Sequence, residues 1–427
     1  MLTQKVLSHI ILTIFFSMIF AVPVYWIFID KNEKINSIEE ARSISTIPAL
    51  PYSQFKKAVI LVIQGKPAEA RTTVFNFILE RKFQKLMETA LSDRFPLRLT
   101  AIKTSKAFDR KLIALAYMFL NDPAIPADTQ SNIYVMRDHS KLILRPMAFD
   151  TDQKKRIEKG IRNYETLIRL FPHQKFYVFY IQTLKDSKSN PLNSYFKDAD
   201  DGRAIQYFEE KLPEGLVLGK MMLSSFEDRV EYFFKTDHHW NIRGACHGYG
   251  LIYPMLALNY PGIPPKRDCG EYMTLPGVNF LGSYARITLY PIEPEAFEVS
   301  TAKLPPYKIL LDGQETQHTK LDQYLAGDFN PNPYKNHYQE IFGHVEKPIE
   351  YYFKDNPRRN LLIIGSSFRK PIEPFIASHY SHTYVMPINY FQDFSLGKFL
   401  LENHVDDILI IGEFTVTYGS EGWQINP

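Results

Sequence analysis

The chain has 427 residues, with 50 Lys+Arg against 47 Asp+Glu, 45% hydrophobic and 23% charged residues. That composition excludes an intrinsically disordered chain, and a net charge of +3 without any Lys/Arg-rich block excludes a nucleic-acid partner. Two cysteines, Cys246 and Cys269, exclude a disulfide scaffold and a four-cysteine zinc site, and they can form one bridge or none.

In chain order, the first element is an apolar run from Ile10 to Ile29 that contains no Asp, Glu, Lys or Arg. At about 1.5 Å per residue such a run spans the roughly 30 Å hydrocarbon core of a bilayer. Tyr25 and Trp26 lie near its far end, where amphipathic rings favour the interface. Ala21-Val22-Pro23 is a poor cleavage site because proline follows directly, so the run reads as an uncleaved transmembrane anchor over residues 1–30. Lys5 and the amino terminus place the short tail in the cytoplasm and the rest outside it. Residues 31–51 are polar and aperiodic and read as a juxtamembrane linker. The remainder, 52–427, is expected to be one extracytoplasmic α/β domain.

From Tyr52 to about Leu120 the apolar spacing is helical, with Phe55, Val59 and Val62, then Phe75, Ile78 and Leu86, interrupted by Pro67 and Pro96. Strand-length β-branched or aromatic runs follow at residues 133–136, 176–181, 215–218, 361–364 and 407–412. An amphipathic helix is expected over residues 153–170, from Ile157, Ile161, Tyr164 and Leu167. Strands alternating with helices predict a parallel sheet flanked by helices. The proline-rich stretch from residue 261 to about 354 reads as an irregular insertion covering that sheet, a usual place for a binding surface.

Two segments carry the chemistry. The first is Thr236-Asp237-His238-His239-Trp240-Asn241, at a loop-to-helix junction. Imidazole moves protons near neutral pH, and a carboxylate two residues away can hold its other nitrogen, so Asp237 and His239 form a candidate pair. His238 reads as structural or surface, and Trp240 as core. A metal centre is not expected, because adjacent histidines should point apart and no HExxH spacing is present. The second segment, Leu361-Leu362-Ile363-Ile364-Gly365-Ser366-Ser367-Phe368, is a buried-type strand ending in two serines before a stretch, 371–379, that can be helical. A serine there has an exposed oxygen and backbone N–H groups near a developing oxyanion. Alone, Gly-Ser-Ser more often caps or turns. Together the segments supply nucleophile Ser367, base His239 and orienting acid Asp237.

The Asp237-His238-His239-Trp240 block with Gly244-Ala245, followed by a hydrophobic strand ending in Gly-x-Ser-Phe, resembles the DHHW family and the SGNH-hydrolase-like proteins of alginate and other polysaccharide O-acetylation. The resemblance extends to Asp93-Arg94-Phe95-Pro96-Leu97-Arg98, Asn279-Phe280-Leu281-Gly282-Ser283 and Asn389-Tyr390-Phe391. The order of elements, Asp-x-His before the serine, is also that of the group. One departure is that the family usually reads Gly-Asp-Ser, where this chain has Ser366. That Asp supports the site and is not the triad acid, so the triad residues are all present.

The resemblance implies an SGNH-like fold without a cofactor, in which Ser367 attacks an acetyl donor, His239 takes its proton and the Ser367 backbone N–H stabilises the oxyanion. It marks Gly282, Asn279, Asn389 and Tyr390 as oxyanion or substrate candidates; a transferase also needs a groove for a sugar acceptor, and the Tyr- and Asn-rich segment Asn330 to Tyr338 is a candidate for it. The implied partners are a cell-surface polysaccharide and a membrane-bound O-acyltransferase supplying acetyl. The expected function is polysaccharide O-acetylation at the cell membrane. The alternatives are a carbohydrate acetyl esterase and a catalytically silent glycan-binding or scaffold protein of the envelope.

Overall fold

The computed structural model describes residues 142–343, 347–387 and 394–414 continuously, together with residues 36–37, 42–43, 52–66, 69, 103–112, 115, 128–130 and 132–135. The expected anchor, the linker's 31–35 and the Asp93 to Arg98 segment lie outside the described residues, as do Asn389 and Tyr390. Among the described residues no helix is long and apolar enough to cross a membrane. The chain divides into two units, residues 1–115 and 116–427. The first contains a helix at Tyr52–Ile63, inside the expected helical lead-in.

The second unit begins with a small antiparallel sheet of β1 (Asp128–Gln130), β2 (Ile133–Val135) and β3 (Leu142–Leu144). Helix α1 (Thr151–Leu170) follows, and the Asp150 carboxylate caps it by accepting from the Gln153 N–H at 2.9 Å. Next come β4 (Lys175–Ile181), α2 (Arg203–Glu210), β5 (Leu216–Met221), α3 (Phe226–Tyr232) and α4 (Ile242–Ala257). The stretch expected to be an irregular insertion contains the hairpin strands β6 (Tyr272–Phe280) and β7 (Glu295–Ser300), with α5 (Ser283–Thr288) between them. It also contains β8 (Lys308–Leu311), β9 (Gln314–Glu315), α6 (Leu321–Leu325), α7 (His337–Phe342) and β10 (Ile349–Tyr352). The last elements among the described residues are β11 (Asn360–Gly365), α8 (Glu373–Ala377), β12 (His382–Pro387), α9 (Leu396–Glu402) and β13 (Asp407–Gly412).

Eight strands form the central sheet in the order β9-β8-β10-β12-β11-β13-β4-β5. From β12 to β5 all neighbours are parallel, as the alternation of strands and helices predicts. The sheet is nevertheless mixed, because β9, β8 and β10 add antiparallel strands at the β12 edge. Those strands are short and lie among prolines, so they lack the long β-branched run that marks a central strand.

Alternation along the central strands divides the core into two faces. Tyr177, Phe179, Leu361, Ile363, Leu409 and Ile411 pack with Tyr249, Ile252 and Met255 of α4 and Phe375 and Ile376 of α8. On the other face Phe176, Val178, Leu362, Ile364, Ile408 and Ile410 meet Ile157, Ile161 and Leu167 of α1, Ala204 and Phe208 of α2, and Leu396 of α9. Each fully buried aliphatic or aromatic side chain contributes roughly 1.5–3 kcal/mol, and coverage of both faces explains why β11 and β13 read as unbroken apolar runs. Cys246 of α4 and Cys269 form a disulfide, which ties α4 to the segment leading into β6.

The loop after β4 contains a buried carboxylate, Asp186. It accepts from the Tyr180 hydroxyl at 2.8 Å, the Thr183 N–H at 2.9 Å and the Thr183 hydroxyl at 3.0 Å. Burial pushes the Asp186 carboxyl up to about 7, although the Tyr180 hydrogen bond and Lys185 oppose the shift. A carboxyl raised on folding binds more protons in the native state, so its contribution to stability is complete below the unfolded value and is lost as pH rises through the folded one. Chemical denaturation from pH 4 to 7 is therefore expected to show the wild type losing stability with a steeper slope than Asp186→Asn; equal slopes would mean that Asp186 titrates as an ordinary carboxyl.

Candidate active site

The loop between α3 and α4 is pinched shut at its base. Phe233 and Trp240 form an antiparallel bridge, the Phe234 N–H donates to the His239 carbonyl at 3.1 Å, and the Asn241 N–H donates to the Tyr232 carbonyl at 2.9 Å. The Asn241 side chain then caps α4 by accepting from the Gly244 N–H at 3.0 Å. A Cβ on Gly244 would overlap the Tyr232 carbonyl, which is the steric reason for glycine at that place in the block. Trp240 is fully buried in the core, as expected from the sequence.

Inside this loop the Asp237 carboxylate is held from several sides. Its Oδ1 accepts from His239 Nδ1 at 2.5 Å and from the His239 backbone N–H at 3.0 Å, and its Oδ2 accepts from the Ser283 N–H at 2.5 Å. Ser283 is the first residue of α5, whose next two N–H groups, of Tyr284 and Ala285, donate to the Thr236 carbonyl at 3.0 and 3.3 Å. A start-of-helix backbone, with N–H groups that the helix cannot use, is thus docked on Thr236-Asp237. The docking requires Gly282, because a Cβ there would overlap the Cβ and carboxylate of Asp237. Burial opposes ionisation of Asp237, but His238, His239, the His239 hydrogen bond and the Ser283 N–H outweigh it and hold the carboxyl well below its ordinary range.

The other end of the imidazole meets the serine. His239 Nε2 lies 2.6 Å from Ser367 Oγ, across 128 residues of sequence. Ser367 begins a 3-10 turn, Ser367–Arg369, directly after the carboxyl end of β11. With Asp237 2% and His239 7% exposed, the contacts are shielded from water, while Ser367 is half-buried. With Nδ1 occupied by the carboxylate, Nε2 is the atom available to take a proton from the hydroxyl.

The structure therefore brings together Ser367, His239, Asp237 and Gly282, with Gly282 approaching the acid and not a substrate. It does not bring Asn279 to them. Asn279 is an exposed residue of β6 next to Phe280, which points inward to Phe234 at 5.0 Å between ring centroids, so its side chain faces away. The two histidines also differ from expectation. Their rings lie 3.8 Å apart between centroids, because His238 Nδ1 turns back to Ser283 Oγ at 2.8 Å. The ligand-type atoms of Asp237, His238 and His239 all lie within 4.8 Å of one another, which is metal-compatible spacing. Those atoms are engaged with each other, with Ser283 and with Ser367, so coordinating an ion would cost the relay its hydrogen bonds.

Several residues of the site leave no local signal in the sequence. The Tyr338 ring stacks on His239 at 3.9 Å and 15°, and its hydroxyl donates to the Ser367 carbonyl at 3.1 Å. Tyr338 closes the segment read as a candidate acceptor groove, but it is 2% exposed and packs against His239. Glu295 accepts from the Thr236 hydroxyl at 2.6 Å and from the N–H groups of Lys235 and Thr236 at 2.7 and 2.8 Å, anchoring the loop from 59 residues away. Arg229, 4% exposed, donates to the Asp237 carbonyl at 3.1 Å. The Phe368 ring packs against His239, tilted at 5.3 Å between centroids, and against Trp240 in a T-shaped contact at 5.8 Å. Ser366, where the family usually has Asp, holds a buried hydroxyl without a hydrogen-bond partner.

Since Gly282 admits the helix start to Asp237, Gly282→Ala is expected to leave the far-ultraviolet circular dichroism unchanged while slowing the reaction of Ser367 with a serine-directed fluorophosphonate. A displacement of this kind costs about a hundredfold; labelling at the wild-type rate would show that the contact does not matter.

No protein-family description matches the chain, and no curated protein does. Solved structures do. A structure of PatB1 from Bacillus cereus with a sulfonyl adduct is similar at 19% identity and a TM-score of 0.54, over 66% of this chain and 94% of that one. A second structure of PatB1 from Bacillus cereus gives 19% identity and a TM-score of 0.52, over 65% and 95%. A DHHW family protein from Eubacterium siraeum has 18% identity over 67% of this chain and 92% of its own, at a TM-score of 0.48. The chain shares the fold of the PatB1 structures.

Proposed function

We propose that the chain is a membrane-anchored, extracytoplasmic enzyme that transfers acetyl groups to hydroxyls of a cell-surface polysaccharide through an acyl-serine intermediate. The observation that carries this reading is the continuous relay from Asp237 Oδ1 through His239 to Ser367 Oγ, at 2.5 and 2.6 Å, at the carboxyl end of a central strand. The shared fold with PatB1 supports it, and so does the resemblance to polysaccharide O-acetyltransferase-like proteins.

In this mechanism Ser367 Oγ attacks the acetyl carbonyl of the donor while His239 Nε2 takes the hydroxyl proton. Asp237 holds the imidazole in orientation and stabilises the charge it acquires. The oxyanion is received by the backbone N–H of Ser367, which the 3-10 turn leaves uncommitted at its first position. Collapse expels the donor's leaving group, which carries away the proton from His239. A sugar hydroxyl then attacks the acetyl-serine, gives its proton to His239, and leaves as the acetyl ester once Ser367 is reprotonated. Water in place of the sugar would make the same site an esterase.

The apolar run at residues 10–29 supports anchoring. The Cys246–Cys269 bridge supports an extracytoplasmic site, since disulfides persist in oxidising compartments and are rare in the cytosol. A membrane-bound O-acyltransferase is the expected source of acetyl. The decisive experiment measures acetyl-ester turnover by the protein with and without a defined oligosaccharide, beside Ser367→Ala and His239→Ala. Acetylated sugar formed only by the wild type is the expected result. Acceptor-independent ester loss would replace the transferase with an esterase, and a folded wild type that neither turns over nor labels would leave the binding or scaffold role.

A further inference from the structure

The turn that carries Ser367 is held from beneath by a buried charge pair that the relay itself does not use. Arg369, two residues after Ser367 and 1% exposed, donates from one guanidinium nitrogen, Nη1, to the carbonyls of Gly365 at 3.1 Å and Ser366 at 3.0 Å. Its Nε lies 3.0 Å from Glu373 Oε2, off the line of a hydrogen bond, so this contact is charge pairing. Glu373 is fully buried, and its other oxygen accepts from His318 Nε2 at 2.9 Å and the Tyr351 hydroxyl at 3.0 Å. Burying a guanidinium and a carboxylate is costly and adds little net stability compared with apolar packing. Such a pair must be explained by what it orients.

What it orients is the peptide that would bind the oxyanion. The Ser366 carbonyl is bound twice on the inner side, by Arg369 Nη1 and by the Arg369 N–H at 3.2 Å. The Ser367 carbonyl is bound by the Tyr338 hydroxyl at 3.1 Å and the Lys370 N–H at 3.2 Å. Among the described residues no peptide bond is cis, so the Ser367 N–H points opposite to the Ser366 carbonyl, away from the buried guanidinium and toward the open side of the turn.

Resting on the reading of Ser367 as nucleophile, we infer that Arg369, fixed by Glu373, is a positioning residue that aims the Ser367 N–H at the oxyanion. Lysine keeps the charge at this position but lacks the planar guanidinium that holds the two carbonyls and Glu373 at once.

The test is Arg369→Lys, with kcat and KM for a small acetyl ester determined per site titrated by a serine-directed sulfonyl fluoride. The expected result is a fall in kcat of about tenfold to a hundredfold with KM unchanged. A purely structural role would reduce the number of titratable sites and leave kcat per site alone. Wild-type kcat per site, or a rise in KM alone, overturns the inference. If Arg369→Lys does not fold, Glu373→Gln is read in the same way, and failure of both to fold overturns the inference by making the pair a folding element only. Absence of any labelling at Ser367 in the wild type would instead overturn the nucleophile assignment itself.

Discussion

The approach of the Gly282-Ser283 backbone to the Asp237 carboxylate underlies the rest of the site. A carboxylate that is 2% exposed must be compensated by hydrogen bonds. Here one oxygen takes the Ser283 N–H and the other takes both the backbone N–H and Nδ1 of His239. Because both carboxylate oxygens are committed, the imidazole plane is set, and Nε2 can meet a serine from a distant strand. The supports are themselves supported: the Thr236 hydroxyl accepts from the Gly282 N–H at 2.9 Å while donating to Glu295. The hairpin of β6 and β7, with α5 between its strands, thus delivers both Gly282 and Glu295 to the loop, although neither touches the reacting atoms.

The central sheet contributes the other half. β11 lies between β12 and β13, both of its faces are covered, and its carboxyl end opens where ligands bind in open α/β sheets. The turn after it departs from ordinary economy by burying Arg369, Glu373 and His318 together beneath the serine. The turn that carries Ser367 is held there by desolvated charge. On the same edge, the loops after β4 and β13 are joined by the Lys185–Glu413 pair at 2.8 Å, so the surroundings of Ser367 and His239 are assembled from the ends of β4, β11 and β13 and the loop before α4.

Read along the chain, the Asp-x-His loop and the strand-end serine are legible because their chemistry is local. A carboxylate and an imidazole two residues apart can meet within one loop, and a buried strand announces its end by a change from apolar residues to Gly-Ser-Ser. Four of the five parallel strands, β4, β5, β11 and β13, are legible for the same reason, each being a run of β-branched or aromatic residues, whereas β12 (His382–Pro387), with His382 and Thr383 at its start, does not read as one. The antiparallel strands β8, β9 and β10 are not, since their pairing is decided by the free edge of β12 and not by their own composition. Asn279 is a candidate only through the resemblance of the Asn279-to-Ser283 segment, and no strand is expected there, so the alternation of β6 that turns Phe280 to the core and Asn279 to solvent cannot be read from the sequence.

What the sequence by itself determined is the α/β class, the strands β4, β5, β11 and β13, the apolar amino-terminal run and the choice of Asp237, His239 and Ser367 as candidates, all of which are encoded in spacing over a few residues. Only the tertiary structure decided that Cys246 and Cys269 pair, that His238 turns toward Ser283, that Tyr338 lies against His239 and that Arg369 and Glu373 hold the turn that carries Ser367. The physical reason is sequence distance. Tyr338 is 29 residues from the carbonyl it binds, Ser283 is 45 from His238, and His318 is 55 from Glu373. Contacts at those separations depend on how the whole sheet and its hairpins pack, which no short window of residues records.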